Sequence, residues 1–360
     1  MYLKHLSLIN FKNHAEKQFE LTKEINVFVG DNGVGKTNIL DAVHYLSLCK
    51  SFLNPIDKQN IKHNEKFFLV QGNFIKNKKS NQISVGVQIG HKKKVKCNKK
   101  EYEKLADHIG QYPVVVISPY DSNLISEGSE VRRKFIDTII SQYDKQYLEK
   151  LIKYNKVLQQ RNALLKRFQE YRIFETESIE VWDLQLIDLG EFIYKKRIDF
   201  LTEFLPNFQN FFNLLVQGKE KINIEFVSQL KDKSFNELLA ESSQKDSRYG
   251  YTTVGIHKDD LVFQINGNPI KKFGSQGQQK SFLIALKLTQ FEYITKLLNK
   301  KPILLLDDIF DKLDHNRVEQ LLKMVSDHVF GQVLITDTDV DRIEKVFKNI
   351  KVNKQTFTIN

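Results

Sequence analysis

Glu24-Ile25-Asn26-Val27-Phe28-Val29 runs into Gly30-Asp31-Asn32-Gly33-Val34-Gly35-Lys36-Thr37, which leads to Asn38-Ile39-Leu40-Asp41-Ala42-Val43. A short apolar run ending at a glycine reads as a buried strand, and the closing segment reads as a helix. The eight residues between them match G-x-x-x-x-G-K-[ST], a loop whose glycines let backbone N–H groups curl around a phosphate. In such a loop Lys36 reaches the β/γ oxygens of a nucleotide, the Thr37 hydroxyl ligates Mg²⁺, and the helix N-terminus adds partial positive charge. The expected cofactors are therefore ATP and Mg²⁺, held by Gly30, Asp31, Asn32, Gly33, Val34, Gly35, Lys36, Thr37 and Asn38. The plain alternative is a glycine turn with no nucleotide, and the strand and helix on either side argue against it.

A phosphate loop needs a second strand to complete its chemistry. Ile303-Leu304-Leu305-Leu306-Asp307-Asp308 is an apolar strand ending in two acids. Asp307 would hold the Mg²⁺ shell together with Thr37, and Asp308 would orient or deprotonate the attacking water. Lys36, Asp307 and Asp308 are thus the expected catalytic residues, and they meet only if the chain returns to one sheet. Gly274-Ser275-Gln276-Gly277-Gln278-Gln279-Lys280, followed by apolar Ser281 to Leu288, reads as a glycine turn opening a helix. Such a turn presents free N–H groups and a helix dipole to an anion, or simply caps its helix. Its position between the phosphate loop and the paired acids resembles the signature segment of ATP-binding-cassette ATPases. That likeness implies that Ser275, Gly277 and Gln278 contact the γ-phosphate of a nucleotide held by the opposite subunit.

Around these motifs the chain changes character twice. Its first part is strand-rich, with Phe67-Phe68-Leu69-Val70 and the alternating Ile83 to Ile89. Lys92, Lys93, Lys94, Lys96, Lys99 and Lys100 then crowd together, either as an edge strand guarded by lysine or as a phosphate contact. From about Glu130 the pattern is helical: Leu151, Leu158 and Leu165 repeat at seven, and Ile179, Trp182, Leu186, Leu189, Ile193 and Phe200 step on a second helix. Two such helices with a short connection predict an antiparallel coiled-coil arm. Strands return with Leu261 to Ile265, closed by the hairpin signal Asn266-Gly267, and with the buried-strand run Val333-Leu334-Ile335. The expected fold is α/β: a cassette-type ATPase lobe from residues 1–125 and 250–360, interrupted by a mostly helical arm domain at 126–249.

The chain has 360 residues with 55 Lys and Arg against 44 Asp and Glu, a formal charge of +11 that favours a polyanionic partner. Hydrophobic residues at 41% supply a core, and only 6 Pro and 16 Gly argue against disorder. No apolar stretch approaches a membrane span, so a soluble, cytoplasmic protein without membrane contact is expected. Cys49 and Cys97 make no disulfide framework and read as reduced thiols.

At family level the chain resembles the RecF DNA-repair ATPases over nearly its whole length. The likeness rests on Asn10-Phe11-Lys12-Asn13, Gly30 to Asn38, Ser118-Pro119-Tyr120-Asp121 with Arg132-Arg133, Gln160 to Lys166, Gly255-Ile256-His257-Lys258-Asp259-Asp260-Leu261, Gly274 to Gln279 and Leu304 to Asp314. It implies an ATP-dependent homodimer with weak, DNA-stimulated ATP hydrolysis. The dimer would bind double- and single-stranded DNA at junctions, with little sequence specificity, and with RecO and RecR help load RecA on gapped DNA. The departures are Lys258 and Lys12 where arginine is expected, and Asp311-Lys312-Leu313-Asp314 in place of a Ser/Glu-containing loop. Thr336-Asp337 stands where transporter cassettes carry a switch histidine, which suggests slow hydrolysis. Arg132 and Arg133 either contact DNA or pair with acids such as Asp121. The rival readings are a transporter's ATPase engine and a DNA-binding scaffold with structural nucleotide.

Overall fold

The structure is a computed structural model; it describes residues 1–172, 175–216, 220–309, 320, 324, 329–348 and 352–360. In chain order the first elements are strands β1 (Tyr2–Phe11), β2 (His14–Glu20) and β3 (Ile25–Val29), helix α1 (Lys36–Leu48), and strands β4 (Phe67–Lys76), β5 (Lys79–Gln88), β6 (Lys94–Cys97), β7 (Lys100–Glu101) and β8 (Val114–Ile117). Helices α2 (Asn123–Ser126), α3 (Ser129–Tyr143), α4 (Lys145–Tyr171) and α5 (Thr176–Leu215) follow, then β9 (Ile222–Val227), α6 (Phe235–Tyr249), β10 (Asp260–Ile265), β11 (Asn268–Pro269), α7 (Ile270–Phe273) and α8 (Gln276–Leu298). The chain closes with β12 (Ile303–Asp307), β13 (Val333–Asp337), α9 (Val340–Phe347) and β14 (Lys354–Thr358). Contacts divide it into unit 1, residues 1–122, 211–218 and 280–360, and unit 2, residues 123–210 and 219–279.

Unit 1 holds two sheets. The five-stranded one, ordered β14-β3-β13-β12-β8, is parallel throughout. Every residue of β3, β8, β12 and β13 is buried, which is why these strands read as unbroken apolar runs. The chain does return to one sheet: β3, from before the helical region, and β12, from after it, both pair with β13. Because the strands are parallel, the residues that follow β3, β8 and β12 gather at one C-terminal edge, where open α/β sheets bind ligands. The six-stranded antiparallel sheet, ordered β2-β1-β4-β5-β6-β7, shares a core with the first through α1, whose Ile39, Leu40, Val43 and Leu46 are fully buried. Its outer edge is the lysine-rich segment. Lys92, Lys94, Lys99 and Lys100 are exposed there, whereas Lys93 Nζ turns inward to Asp57 Oδ2 at 2.8 Å.

Unit 2 contains the arm. Ion pairs join Asp144 to Lys196, Lys150 to Asp188 and Arg161 to Asp183, so the partner's number falls along α5 as it rises along α4, and the helices run antiparallel. On α5 the expected stripe is buried at Ile179, Leu186, Leu189, Ile193 and Phe200, with Trp182 half-buried. On α4 the expected seam shifts. The buried residues at heptad spacing are Tyr147, Tyr154, Arg161 and Phe168, with Val157 and Leu165 beside them, while Leu151 and Leu158 are only half-buried. Arg161 lies in the seam because Asp246 Oδ2 at 2.7 Å and the Thr252 hydroxyl at 2.9 Å satisfy its guanidinium.

The three-stranded sheet β11-β10-β9 also lies in unit 2. Asn266 and Gly267 both have positive φ, 48° and 77°, as the predicted tight hairpin requires. Residues 250–279 therefore group with the arm by contact, since β10 pairs with β9 along its full length. Arg132 and Arg133 find their partners here. Arg132 binds Asp260 through two bonds of 2.7 and 2.9 Å, and Arg133 Nη1 donates to the Asp259 carbonyl at 2.6 Å. His257 is structural: Nε2–H donates to the Thr252 carbonyl at 3.1 Å, so Nδ1 accepts from the Tyr154 hydroxyl at 2.9 Å. Burial holds its pKa down at about 4, and the ring is neutral.

Candidate nucleotide-binding site

β3 delivers the chain to Gly30 and α1 departs at Lys36, with the phosphate loop between them. Gly35 has φ of 100°, and a Cβ there would fall 2.4 Å from the Asn13 amide, so only glycine serves. Asn13, in the turn between β1 and β2, holds the loop from outside: its Nδ2 donates to Val34 O at 2.8 Å, and its Oδ1 accepts from Asn38 Nδ2 at 2.7 Å. Buried His14 donates from Nε2 to Gly35 O at 3.1 Å, and burial lowers its pKa, which keeps it neutral. Lys12 takes no part in the cradle. Its Nζ lies 2.5 Å from Asp41 Oδ2, bracing α1, so a single positive charge suffices where arginine was expected.

Lys36 folds back across the mouth of its own loop. Its Nζ donates to Gly30 O at 2.8 Å and Asp31 O at 2.9 Å, and the residue is 4% exposed. Among the described residues no carboxylate pairs with it, so its charge remains for an incoming anion.

Across from the loop, β12 ends at Asp307. Asp307 Oδ1 accepts from the Thr37 hydroxyl at 2.8 Å and from the Thr336 hydroxyl at 2.9 Å, while Thr336 Oγ1 accepts from Asp308 N–H at 3.0 Å. The ends of β12 and β13 and the first turn of α1 are thus tied by one carboxylate. Burial pushes the Asp307 pKa up, and the two hydroxyl donors pull against that shift. Asp308 has φ of 45°, a left-handed conformation unusual for a non-glycine residue, and its buried Oδ1 has no hydrogen-bond partner among the described residues. Beside it lies a cavity of about 240 Å³, walled by Ile117, Ser118, Pro119, Leu283 and Ile284. No phosphate-loop residue lines it, so it is space on the Asp308 side rather than the phosphate cradle. Asp121, also on its wall, pairs with Lys287 at 2.8 Å.

Within unit 2 the signature segment starts α8. Ser275 and Gln278 cap reciprocally: Gln278 N–H donates to Ser275 Oγ at 3.2 Å, and Ser275 N–H donates to Gln278 Oε1 at 2.7 Å. Ser275 is exposed and Gln278 half-buried, its Nε2 donating to Glu220 Oε1 at 2.6 Å. Gly277 is the half-buried residue between them. Thr336, His14 and Glu220 are the polar partners that motif reading missed, since only spatial proximity reveals them. Asp311-Lys312-Leu313-Asp314 lies outside the described residues.

No helix among the described residues is long and apolar enough to cross a membrane. The family described as the RecF/RecN/SMC N terminal domain matches residues 2–360. The DNA replication and repair protein RecF of Phocaeicola vulgatus is 48% identical over 361 residues, covering 100% of this chain and 96% of that protein. The protein of the same name from Flavobacterium johnsoniae is 49% identical over 359 residues, covering 100% and 99%. Among solved structures, that of the recombination mediator protein RecF-ATPrS in the RecFOR pathway is similar with a TM-score of 0.89 at 30% identity, covering 100% of this chain and 96% of the other. The Smc head domain from Pyrococcus furiosus, with an extended coiled coil and bound to the ScpA C-terminal domain, shares the fold at TM-score 0.53 and 18% identity, covering 96% and 91%. With a phosphate loop, paired acids and a signature turn in one chain, and with full-length similarity of this degree, this chain belongs to the RecF family of DNA replication and repair proteins.

Proposed function

We propose that the chain is an ATP-driven DNA clamp: ATP bound at Lys36 and Thr37 of one copy is closed over by Ser275, Gly277 and Gln278 of a second, and the closed homodimer grips DNA at single-strand/duplex junctions. The observation that carries this reading is the hydrogen-bond set in which Asp307 joins Thr37 of the phosphate loop to Thr336 of β13. It brings to one point the side chains that phosphoryl transfer needs. Gly30 to Asn38 then supply the N–H cradle, Lys36 neutralises β/γ oxygens, and Asp308, whose Oδ1 has no partner among the described residues, orients the attacking water. The ATPase machinery in this reading is drawn from residues 1–125 and 250–360, of which 250–279 pack with the arm formed by 126–249.

The donor set suits Mg²⁺. Thr37 Oγ1 and Asp307 Oδ1 are hard oxygen donors 2.8 Å apart, and no cluster of three or more metal-ligating residues is found among the described residues. That composition matches an ion held by one or two protein groups plus substrate phosphates and water, rather than by a protein cage. When bound, the ion supplies neutralisation of phosphate charge. With no imidazole at the end of β13, hydrolysis is slow and serves to reset the clamp.

The DNA half of the reading is supported by the charge of +11 and by the names of the relatives, and it acts through phosphate neutralisation rather than base reading. Partners equivalent to RecO and RecR, and action in the cytoplasm, follow from the same kinship. Calorimetric titration tests the nucleotide half: Lys36→Ala should weaken ATP binding roughly 10- to 100-fold, since hydrogen bonds to a charged group are worth about 1.5–3 kcal/mol. Unchanged affinity would put the nucleotide elsewhere.

A further inference from the structure

Two large aromatic residues stand in the open where α6 ends. Tyr249 is 49% and Tyr251 46% exposed, and their rings lie nearly parallel, 5.9 Å between centroids and 19° between planes. Gly250 separates them at φ of 72°, the left-handed cap that turns the chain and leaves both rings on one side. Lys258 Nζ lies over the Tyr251 ring, 5.2 Å from its centroid. Exposed Arg248 adjoins the pair in sequence, and the backbone of α4 passes beside Gly250, the Lys166 Cα lying 3.5 Å from the point where a Cβ would stand. Glu170 is near Lys166, at 3.9 Å, too exposed to cancel its charge.

The platform is rigidly mounted. Immediately after Tyr251, Thr252 donates from N–H and hydroxyl to Asn162 Oδ1 at 2.8 and 2.7 Å. Thr253 donates in the same way to Asp246 Oδ1 at 2.8 and 2.7 Å, and Asp246 is held by Arg161. Gln169 Nε2 donates to the Arg248 carbonyl at 2.8 Å. Little ordering entropy remains to be lost when a flat ligand arrives. A preformed aromatic stack with a lysine ammonium over one ring and an arginine next to it in sequence is the arrangement that takes a planar base joined to phosphates.

We propose that Tyr249 and Tyr251 form a stacking platform for an unpaired base of single-stranded DNA, with Lys258 and Arg248 supplying charge for the flanking phosphates. This rests on the DNA-binding reading above and deepens it, because it gives the arm a means of telling a gap from intact duplex. Stacking tolerates any base, in keeping with little sequence preference.

The test uses the full chain with ATP·Mg²⁺, a gapped duplex carrying 2-aminopurine in its unpaired stretch, and a blunt duplex of equal length. Two double variants are compared with the parent: Tyr249→Ala with Tyr251→Ala, and Tyr249→Phe with Tyr251→Phe. The expected result is 2-aminopurine quenching by the parent and the phenylalanine pair, and its loss in the alanine pair together with a roughly tenfold weaker affinity confined to gapped DNA. Equal losses on gapped and blunt DNA, or quenching that survives in the alanine pair, would overturn the platform. If the parent binds neither DNA, the DNA-binding reading itself falls, and the platform with it.

Discussion

Asp308→Asn is expected to lower ATP turnover by two to three orders of magnitude while leaving ATP affinity within a few fold. General-base or water-orienting groups contribute about 10²–10⁴ in rate, and Asp308, which follows Asp307 of the Thr37–Asp307 pair, has a buried oxygen without a partner among the described residues. Asparagine is nearly isosteric and, with aspartate, among the non-glycine residues most tolerant of positive φ, so the strained turn at φ 45° survives the change. The bond to the Thr336 hydroxyl oxygen uses only the backbone N–H of residue 308 and survives as well. What changes is the ability to accept a proton. Single-turnover phosphate release checks this, and a variant that turns over at the parental rate would move the water-activating role to another residue.

The largest effect on stability is expected from Arg197→Ala. Arg197 is 1% exposed; its Nη2 lies 2.9 and 3.0 Å from the two Asp137 carboxylate oxygens, and its Nη1 donates to Asp259 Oδ2 and Ile256 O, each at 2.8 Å. Asp259 is itself buried, and that burial pushes its pKa up even with Arg197 in place. Truncation leaves two acids with an uncompensated buried charge, a loss of about 3–5 kcal/mol. Thermal unfolding should drop on the order of 10 °C. Arg197→Lys should recover only part, since one ammonium cannot reproduce a fork that spans Asp137 and Asp259. A melting temperature unchanged by the alanine variant would mean that the network is incidental to the stability of unit 2.

Much of the catalytic lobe is legible in the sequence because its signals are local. The phosphate loop is contiguous, and β3, β12 and β13 are buried on both faces, so their apolar runs announce a parallel sheet. The arm's antiparallel pairing is legible on α5, where apolar residues carry the seam. On α4 it is misread by register, because Tyr147, Tyr154 and Arg161 occupy seam positions and a buried arginine looks like a solvated one until Asp183 and Asp246 are found beside it. The sequence marks Thr336 only as a position without a switch histidine, for its role consists of bonds to Asp307 and Asp308 from a neighbouring strand. Early β1 alternates poorly because it is a central strand of its sheet, flanked by β2 and β4, with residues buried on both faces. Residues 250–279 read as a continuation of the ATPase lobe, yet β10 pairs with β9, and no local pattern could have named that partner.

The claim that matters most is that ATP closes one copy's signature turn over another's phosphate loop and so creates the DNA-binding state. Fluorescence anisotropy of a labelled gapped duplex, with and without ATP·Mg²⁺ at two salt concentrations, tests it most directly when the Ser275→Arg variant is measured alongside. Ser275 is exposed at the start of α8, so arginine there blocks an approaching partner without disturbing a core. The expected result is binding that requires ATP, weakens as salt rises and is lost in the variant; binding that persists undiminished in Ser275→Arg, or that is absent under every condition, would contradict it.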